Sequence, residues 1–252
     1  MSRFSRRKFV KAGLATTAGL AGLGAAAKLA QRYGLVPPDA RGIYGPGETL
    51  TYAAHRIFSR HSLAREFPRS VISKDPFANA IAPLSDDFKR LQSGGFTDWR
   101  FSVEGMVAQP ATLSLSDLKT LPVRSQITEV VCEEGWSYVA EWIGTPLHEV
   151  LKTLGVLPQA RYLVYFSIEP DWWDSIDMDD ALHPQTLLVW AMNNGDLPAS
   201  FGGPLRMRLP RQLGYKSVKF LTGVRVTDSV KGFVPALDPN SPNYGYSWYA
   251  GI

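Results

Sequence analysis

The 252 residues predict an α+β fold built from short strands and short helices. Three observations predict it. Runs rich in β-branched and aromatic residues recur between Trp99 and Asp228. One segment, Thr145 to Gly155, carries a complete helix signature. The 22 Gly and 18 Pro of a chain that is 45% hydrophobic suit irregular connections better than a helical bundle. A chain of this length buries about 70–75% of its unfolded surface as one domain, and one large domain is expected.

The net charge of +4 is unevenly distributed. Seven of the 27 Lys and Arg lie in residues 1–32, which contain no acid, so the remainder carries 20 cations against 23 acids. A domain of that sign offers no general basic field for nucleic acid, and no nucleic-acid partner is expected.

Residues 1–32 read as an export signal. Ser5-Arg6-Arg7-Lys8-Phe9-Val10-Lys11 precedes Ala12–Ala30, a weakly apolar, Gly/Ala-rich stretch, the layout of a twin-arginine signal. Cleavage is expected at Ala25–Ala27 or near Ala30, or else the segment stays as an anchor, since its 19 residues approach the length of a bilayer span. The expected location is the periplasm, free or membrane-tethered. Residues 33–95 are rich in Pro, Gly and charge and read as irregular structure packed on the core, with one helix near Tyr52–Phe58.

The core is expected over residues 96–231. Trp99–Val107 turns Phe101 and Val103 inward and is broken at Gly105 by a turn or bulge. Ser116 caps a short helix that ends before Pro122, and Ile127–Val131 is a strand. Thr145 as N-cap and Pro146 at the first helical position open a helix with Leu147, Val150, Leu151 and Leu154 on one face, stopped by Gly155. His148 falls off that stripe and is expected to be solvated. Tyr162–Ser167 and Thr186–Met192 are strands, the second ended by the Asn193-Asn194-Gly195-Asp196 turn. Between them, Glu169–Asp180 holds six acids with Trp172 and Trp173, either a solvated loop or a lip over a site. Lys219–Asp228 is the last strand, and residues 232–252 form an extended tail.

Two features bear on chemistry. Cys132 is the only cysteine, at the end of a strand and before Glu133-Glu134-Gly135. It cannot form an internal disulfide, which leaves apolar filling or a role as nucleophile, redox group or metal ligand. Leu197–Thr227 contains six cations and no acid. Arg206 and Arg208 alternate with Leu205, Met207 and Leu209, as on a solvated strand face; the other reading is a grip on a phosphate-bearing ligand. The histidines lack the spacing of a protein-only zinc site.

The segments Cys132-Glu133-Glu134-Gly135-Trp136-Ser137, with Trp142-Ile143-Gly144-Thr145-Pro146-Leu147, and Gly203-Pro204-Leu205-Arg206, with Gly214-Tyr215-Lys216-Ser217-Val218-Lys219, together resemble the two signatures of the sulfite oxidase family's molybdopterin-binding domain. The resemblance spans roughly Glu48 to Asp228. It implies an α+β domain of several mixed β-sheets with short helices, and a Mo-molybdopterin cofactor. It implies that Cys132 is the metal ligand and catalytic centre, that Arg206 and the Ser217-Val218-Lys219 segment hold the pterin phosphate, and that Ser167 lies near the cofactor. Tyr52, His55 and Arg56 fall where exported reductases of the family have an Asn and a Tyr-Glu pair on the pterin. Phe201 stands where the family often has Asn or His, so a contact there must come from its backbone.

The implied reaction is two-electron oxygen-atom transfer, in the direction of reducing an S-oxide on a small molecule or a protein. The implied organisation is a monomeric catalytic subunit fed by a membrane haem partner. Twin-arginine export, which carries folded proteins, suits an enzyme loaded with cofactor before it crosses. Sulfite oxidation in the same frame, a metal-independent Cys nucleophile with a histidine base, and a non-catalytic exported binding module are the alternatives.

Overall fold

The computed structural model describes residues 28–40, 45–79, 83, 85–170, 172–233 and 246–252. The twin-arginine motif and most of the apolar leader lie outside them. Among the described residues no helix is long and apolar enough to cross a membrane.

Helix α1 (Gly45–Phe58) and helix α2 (Asp86–Ser93) precede the core. The core runs β1 (Phe101–Gly105), β2 (Ala111–Leu113), α3 (Leu115–Thr120), β3 (Arg124–Val131), β4 (Ser137–Pro146), α4 (Leu147–Leu154), β5 (Tyr162–Ser167), β6 (Trp173–Asp177), α5 (Met178–Ala181), β7 (Leu187–Met192), β8 (Gly195–Asp196), β9 (Arg206–Arg208) and β10 (Leu221–Thr227). The first sheet has the order β2-β1-β10-β5-β6 and is mixed, because β1 and β10 run parallel while the other pairs are antiparallel. The second, β3-β4-β7-β8 with β9 also on β7, is antiparallel throughout. The expected α+β class with mixed sheets and short helices is what forms.

The main core lies between the sheets. Phe101, Val103, Leu163, Tyr165, Val224 and Val226 of the first sheet pack with Leu147, Val150, Leu151 and Leu154 of α4 and with Leu188 of β7. The helical spacing of those four leucine and valine positions therefore buries the face that it predicts. Gly155 ends α4 in the left-handed region at φ 71°. At the expected break in β1, Gly105 has φ 86°, and a Cβ there would lie 2.1 Å from the Val226 carbonyl oxygen.

Several local expectations are corrected. Pro146, not Thr145, is the N-cap of α4; Thr145 stays on β4 and its hydroxyl donates to the Leu118 carbonyl at 2.8 Å. The cap of α3 is Ser114, two residues before Ser116, in a reciprocal capping box with Asp117. Among the described residues of 33–95 there are two α-helices, and the earlier one begins at Gly45, well before Tyr52. The acidic run is neither a loop nor a lip over most of its length: it forms β6 and α5, with Asp174, Asp177 and Asp180 buried. Arg206 and Arg208 are not a solvated face but buried, at 3% and 0% exposure. His148 is half-buried beside Glu149, with Nε2 3.2 Å from its carboxylate.

Candidate active site

Strand β3 delivers Cys132 to a tight turn. Its N–H donates to the Trp136 carbonyl and its own carbonyl accepts from the Gly135 N–H, at 3.0 and 3.1 Å. Gly135 makes that reversal at φ 91°, where a side chain would be strained. The thiol donates toward Glu133 Oε2 at 3.2 Å, with Glu134 Oε2 at 3.9 Å, and Glu134 also accepts from the Trp136 indole N–H at 2.7 Å. Burial, with the neighbouring Glu133 and Glu134 carboxylates added, pushes the Cys132 thiol up to about 12 against a lowering contact from the Glu134 N–H. The sulfur is therefore a protonated thiol at neutral pH in the protein alone. A cation at Sγ reverses that logic, because a coordinating thiol is deprotonated outright.

Cys132 lines a cavity of 470 Å³ whose walls also include Ser167, Arg206, Ser217, Val218 and Lys219. Six of the ten residues singled out in the sequence thus meet around one space. Arg206 donates to the Phe201 and Ser217 carbonyls at 2.8 and 3.0 Å, and its Nε is buried with no partner. Lys219 donates to the Ser200 carbonyl at 2.8 Å, and burial followed by the Arg206 charge brings it down to about 7. Arg208 reaches Thr128 Oγ1 and the Glu129 carbonyl, and burial followed by Arg206 lowers it to about 9. These three cations are held by carbonyl and hydroxyl oxygens rather than carboxylates. Clustered buried cations without a counter-charge are costly, and an anionic group against Arg206 and Lys219, the two that line the cavity, would offset the cost.

The polypeptide around them is shaped for close approach. Gly202, at φ 105°, leaves no room for a side chain, since a Cβ would come within 2.8 Å of the Lys219 stem. Ser217 Oγ accepts from the Leu209 N–H at 3.2 Å and fixes the cation-bearing loop on β9. Ser167 Oγ accepts from the Glu169 N–H at 3.1 Å.

The remaining four positions lie elsewhere. Tyr52 donates to Asp177 Oδ2 at 2.7 Å. Arg56 pairs with Asp177 and Asp180 at 2.6 and 2.7 Å. The His55 ring lies 2.9 Å from the Tyr249 hydroxyl. None of this trio lines the cavity, and its polar atoms pin α1 to the acids of β6 and α5 and to the tail. Phe201 sits behind Arg206, its carbonyl already accepting from that guanidinium and its ring against Tyr138, 5.8 Å between centroids.

The cavity wall also contains residues that the sequence motifs did not single out as ligands: Phe77, Glu133, Glu134, Trp136, Tyr215 and Tyr246 among them. Tyr246 comes from the tail and packs on Tyr215, 4.8 Å between centroids. Trp172 also lines the wall, so the part of the acidic run nearest the cavity does act as a lip. Lys216, inside the second signature, turns away and makes a buried ion pair with Asp174.

The donor set discriminates between prosthetic groups. Among the described residues no cluster of three or more His, Cys, Asp or Glu could hold a metal ion. A metal at Cys132 must then bring its other ligands with it, and a soft thiolate suits a metal already bound by sulfur. One thiol, an extended cavity and a cationic wall fit a large anionic metal-organic cofactor. None of the four histidines lines the cavity, so a Cys–His nucleophile has no base there.

These features define a cofactor-dependent redox site rather than a hydrolytic one. The family model "oxidoreductase molybdopterin binding domain" matches residues 90–233, and the chain belongs to that family, the sulfite oxidase family of molybdenum-dependent oxidoreductases. A protein of Azospira oryzae, provisionally named protein-methionine-sulfoxide reductase subunit YedZ1, is 34% identical over 77% of this chain and 70% of its own. The protein-methionine-sulfoxide reductase catalytic subunit MsrP of Ralstonia nicotianae is 34% identical over 52% of this chain, which spans only 44% of that protein. The crystal structure of the sulfane dehydrogenase SoxCD from Paracoccus pantotrophus matches 53% of this chain and 39% of its own, with a TM-score of 0.51 and 21% identity, a likeness of fold alone.

Proposed function

We propose that this chain catalyses the two-electron reduction of an S-oxide to a thioether outside the cytoplasmic membrane. The reaction takes sulfoxide, two electrons and two protons to thioether and water. When bound, the molybdopterin supplies the oxygen-atom transfer at its metal. The protein's share is to hold that group: Cys132 offers the thiolate, while Arg206 and Lys219 meet the anionic end and Ser217 and Val218 lend the wall between them. The observation that carries the reading is the placement of a lone thiol and uncompensated cations on one cavity. Reduction rather than oxidation is supported by the relatives named methionine-sulfoxide reductases.

Export through the twin-arginine route belongs to the same proposal, with the electrons arriving from a membrane haem protein. The test uses protein purified from a host able to make the cofactor, with a reduced viologen as electron donor. Addition of methionine sulfoxide should oxidise the dye; molybdenum-loaded protein that leaves the dye reduced with every S-oxide tried contradicts the reading. Replacing both Arg6 and Arg7 by Lys should retain the activity in the cytoplasmic fraction, and undiminished periplasmic activity counts against export.

A further inference from the structure

The cavity lining carries charges of both signs, and its acids bear on substrate. Among the described lining residues the only cations are Arg206 and Lys219, which the proposed function assigns to the cofactor. Three carboxylates remain. Glu133 and Glu134 lie 3.2 and 3.9 Å from the Cys132 sulfur, and Glu169 joins the lining from the segment after β5. Any molecule that approaches a metal at Cys132 therefore meets the Glu133 and Glu134 carboxylates, and Glu169 adds a third acid to the lining.

The same approach is aromatic. Phe77 and Trp172 line the cavity while remaining 54% and 40% exposed. The rings of Phe77 and Trp136 meet edge to face at 5.1 Å, and Trp136 stacks on Tyr138 at 5.9 Å. The Glu134 carboxylate holds the Trp136 indole in place. Exposed rings at the edge of the cavity are apolar surface left open to solvent, and they offer contacts that suit a thioether or sulfinyl group. Aromatic faces next to carboxylates also favour cationic side chains over anionic ones.

We infer that this mouth selects an uncharged S-oxide carried on a neutral or basic peptide, and that it disfavours anionic sulfur oxides such as sulfite and acidic peptides. The inference rests on the proposed S-oxide reduction and specifies its substrate class. Glu133, Glu134 and Glu169 are the residues that set the charge preference, and Phe77, Trp136 and Trp172 receive the apolar part of the substrate. Sulfite, an anion, would enter against three carboxylates.

The test compares three peptides of equal length, each with one methionine sulfoxide flanked by Lys, Gln or Glu. Their Kd values for the holo-protein are measured by titration calorimetry and their kcat/KM values with a reduced viologen. Three partly exposed charges at this range imply that the Lys peptide binds about tenfold tighter than the Glu peptide at low ionic strength, with the gap closing in high salt. Glu169→Gln and, separately, Glu134→Gln should narrow the ratio between the two peptides, which a purely structural loss would not do. Equal Kd values for the three peptides, tightest binding of the Glu peptide, or no binding at all would overturn the inference. The order of Kd decides it whether or not turnover occurs; binding in the expected order without turnover would count against S-oxide reduction alone.

Discussion

Arg206 shows how a single buried side chain can point to a missing partner. Two of its nitrogens are spent on carbonyls, Nε has no partner, and burial lowers its pKa. A cation kept in that state is one whose counter-charge comes from outside the chain. Replacing Arg206 by Ala should weaken retention of the pterin by about 1.5–3 kcal/mol, the worth of a charge-assisted hydrogen bond. Arg206→Lys, which keeps the charge but not the planar fork, should lose less. Pterin released from purified protein, measured by fluorescence beside a thermal melt as fold control, checks both; unchanged content in the folded Ala variant contradicts the assignment. That Cys132, Arg206 and Lys219 share one space was legible only through the two signatures that resemble the family's, since burial and spacing along the chain left each of them other readings. Tyr52 and Arg56 were not legible, because the acids that claim them, Asp177 and Asp180, lie 121 to 125 positions away.

At the level of elements, periodicity predicted what local packing decides and missed what distant partners decide. The α4 stripe and the strands from Tyr162 and Leu187 formed as expected, since their apolar spacing is sufficient to bury them. The acidic run became β6 and α5 because Lys216, Arg56, Arg211 and Gln212 supply partners for its buried carboxylates. The tail is anchored by the same device. Asp39 accepts from the Trp248 N–H at 3.0 Å and Glu48, on α1, from the Tyr249 N–H at 2.7 Å. Burial, then the hydrogen bond and charge of Asp39, raises Glu48 from 4.5 to about 7. A raised carboxyl pKa means that the folded arrangement prefers the proton. Its stabilising contribution is complete below about pH 4.5 and is lost as pH rises through 7. Hydrogen exchange at the Trp248 and Tyr249 amides, corrected for intrinsic rates, should therefore accelerate as pH rises from about 4.5 to about 7, by at most about tenfold per pH unit, and level off above that. Glu48→Gln should flatten that dependence; a slope equal to that of the native protein would show that Glu48 is not the titrating group.

For the molecule as a whole, the two sheets bury a common core and leave the cavity where strand ends and loops from both converge: the end of β3, the end of β5 and the loop between β9 and β10. Binding sites built from strand ends and loops on a rigid frame are a general solution, and here it brings a thiol and a cationic wall from separate signatures onto one space. The whole-molecule claim is that Cys132 holds molybdenum which a pterin carries into that space. Molybdenum and pterin quantified together, in the native protein and in Cys132→Ser, both made with ample molybdate in a host that synthesises the cofactor, test it most directly. The account predicts close to one of each per native chain, and in the folded variant a loss of dye-linked turnover with altered metal coordination in X-ray absorption, one sulfur fewer at the metal. A native protein with neither molybdenum nor pterin, or a variant with the same sulfur count and full turnover, would contradict it.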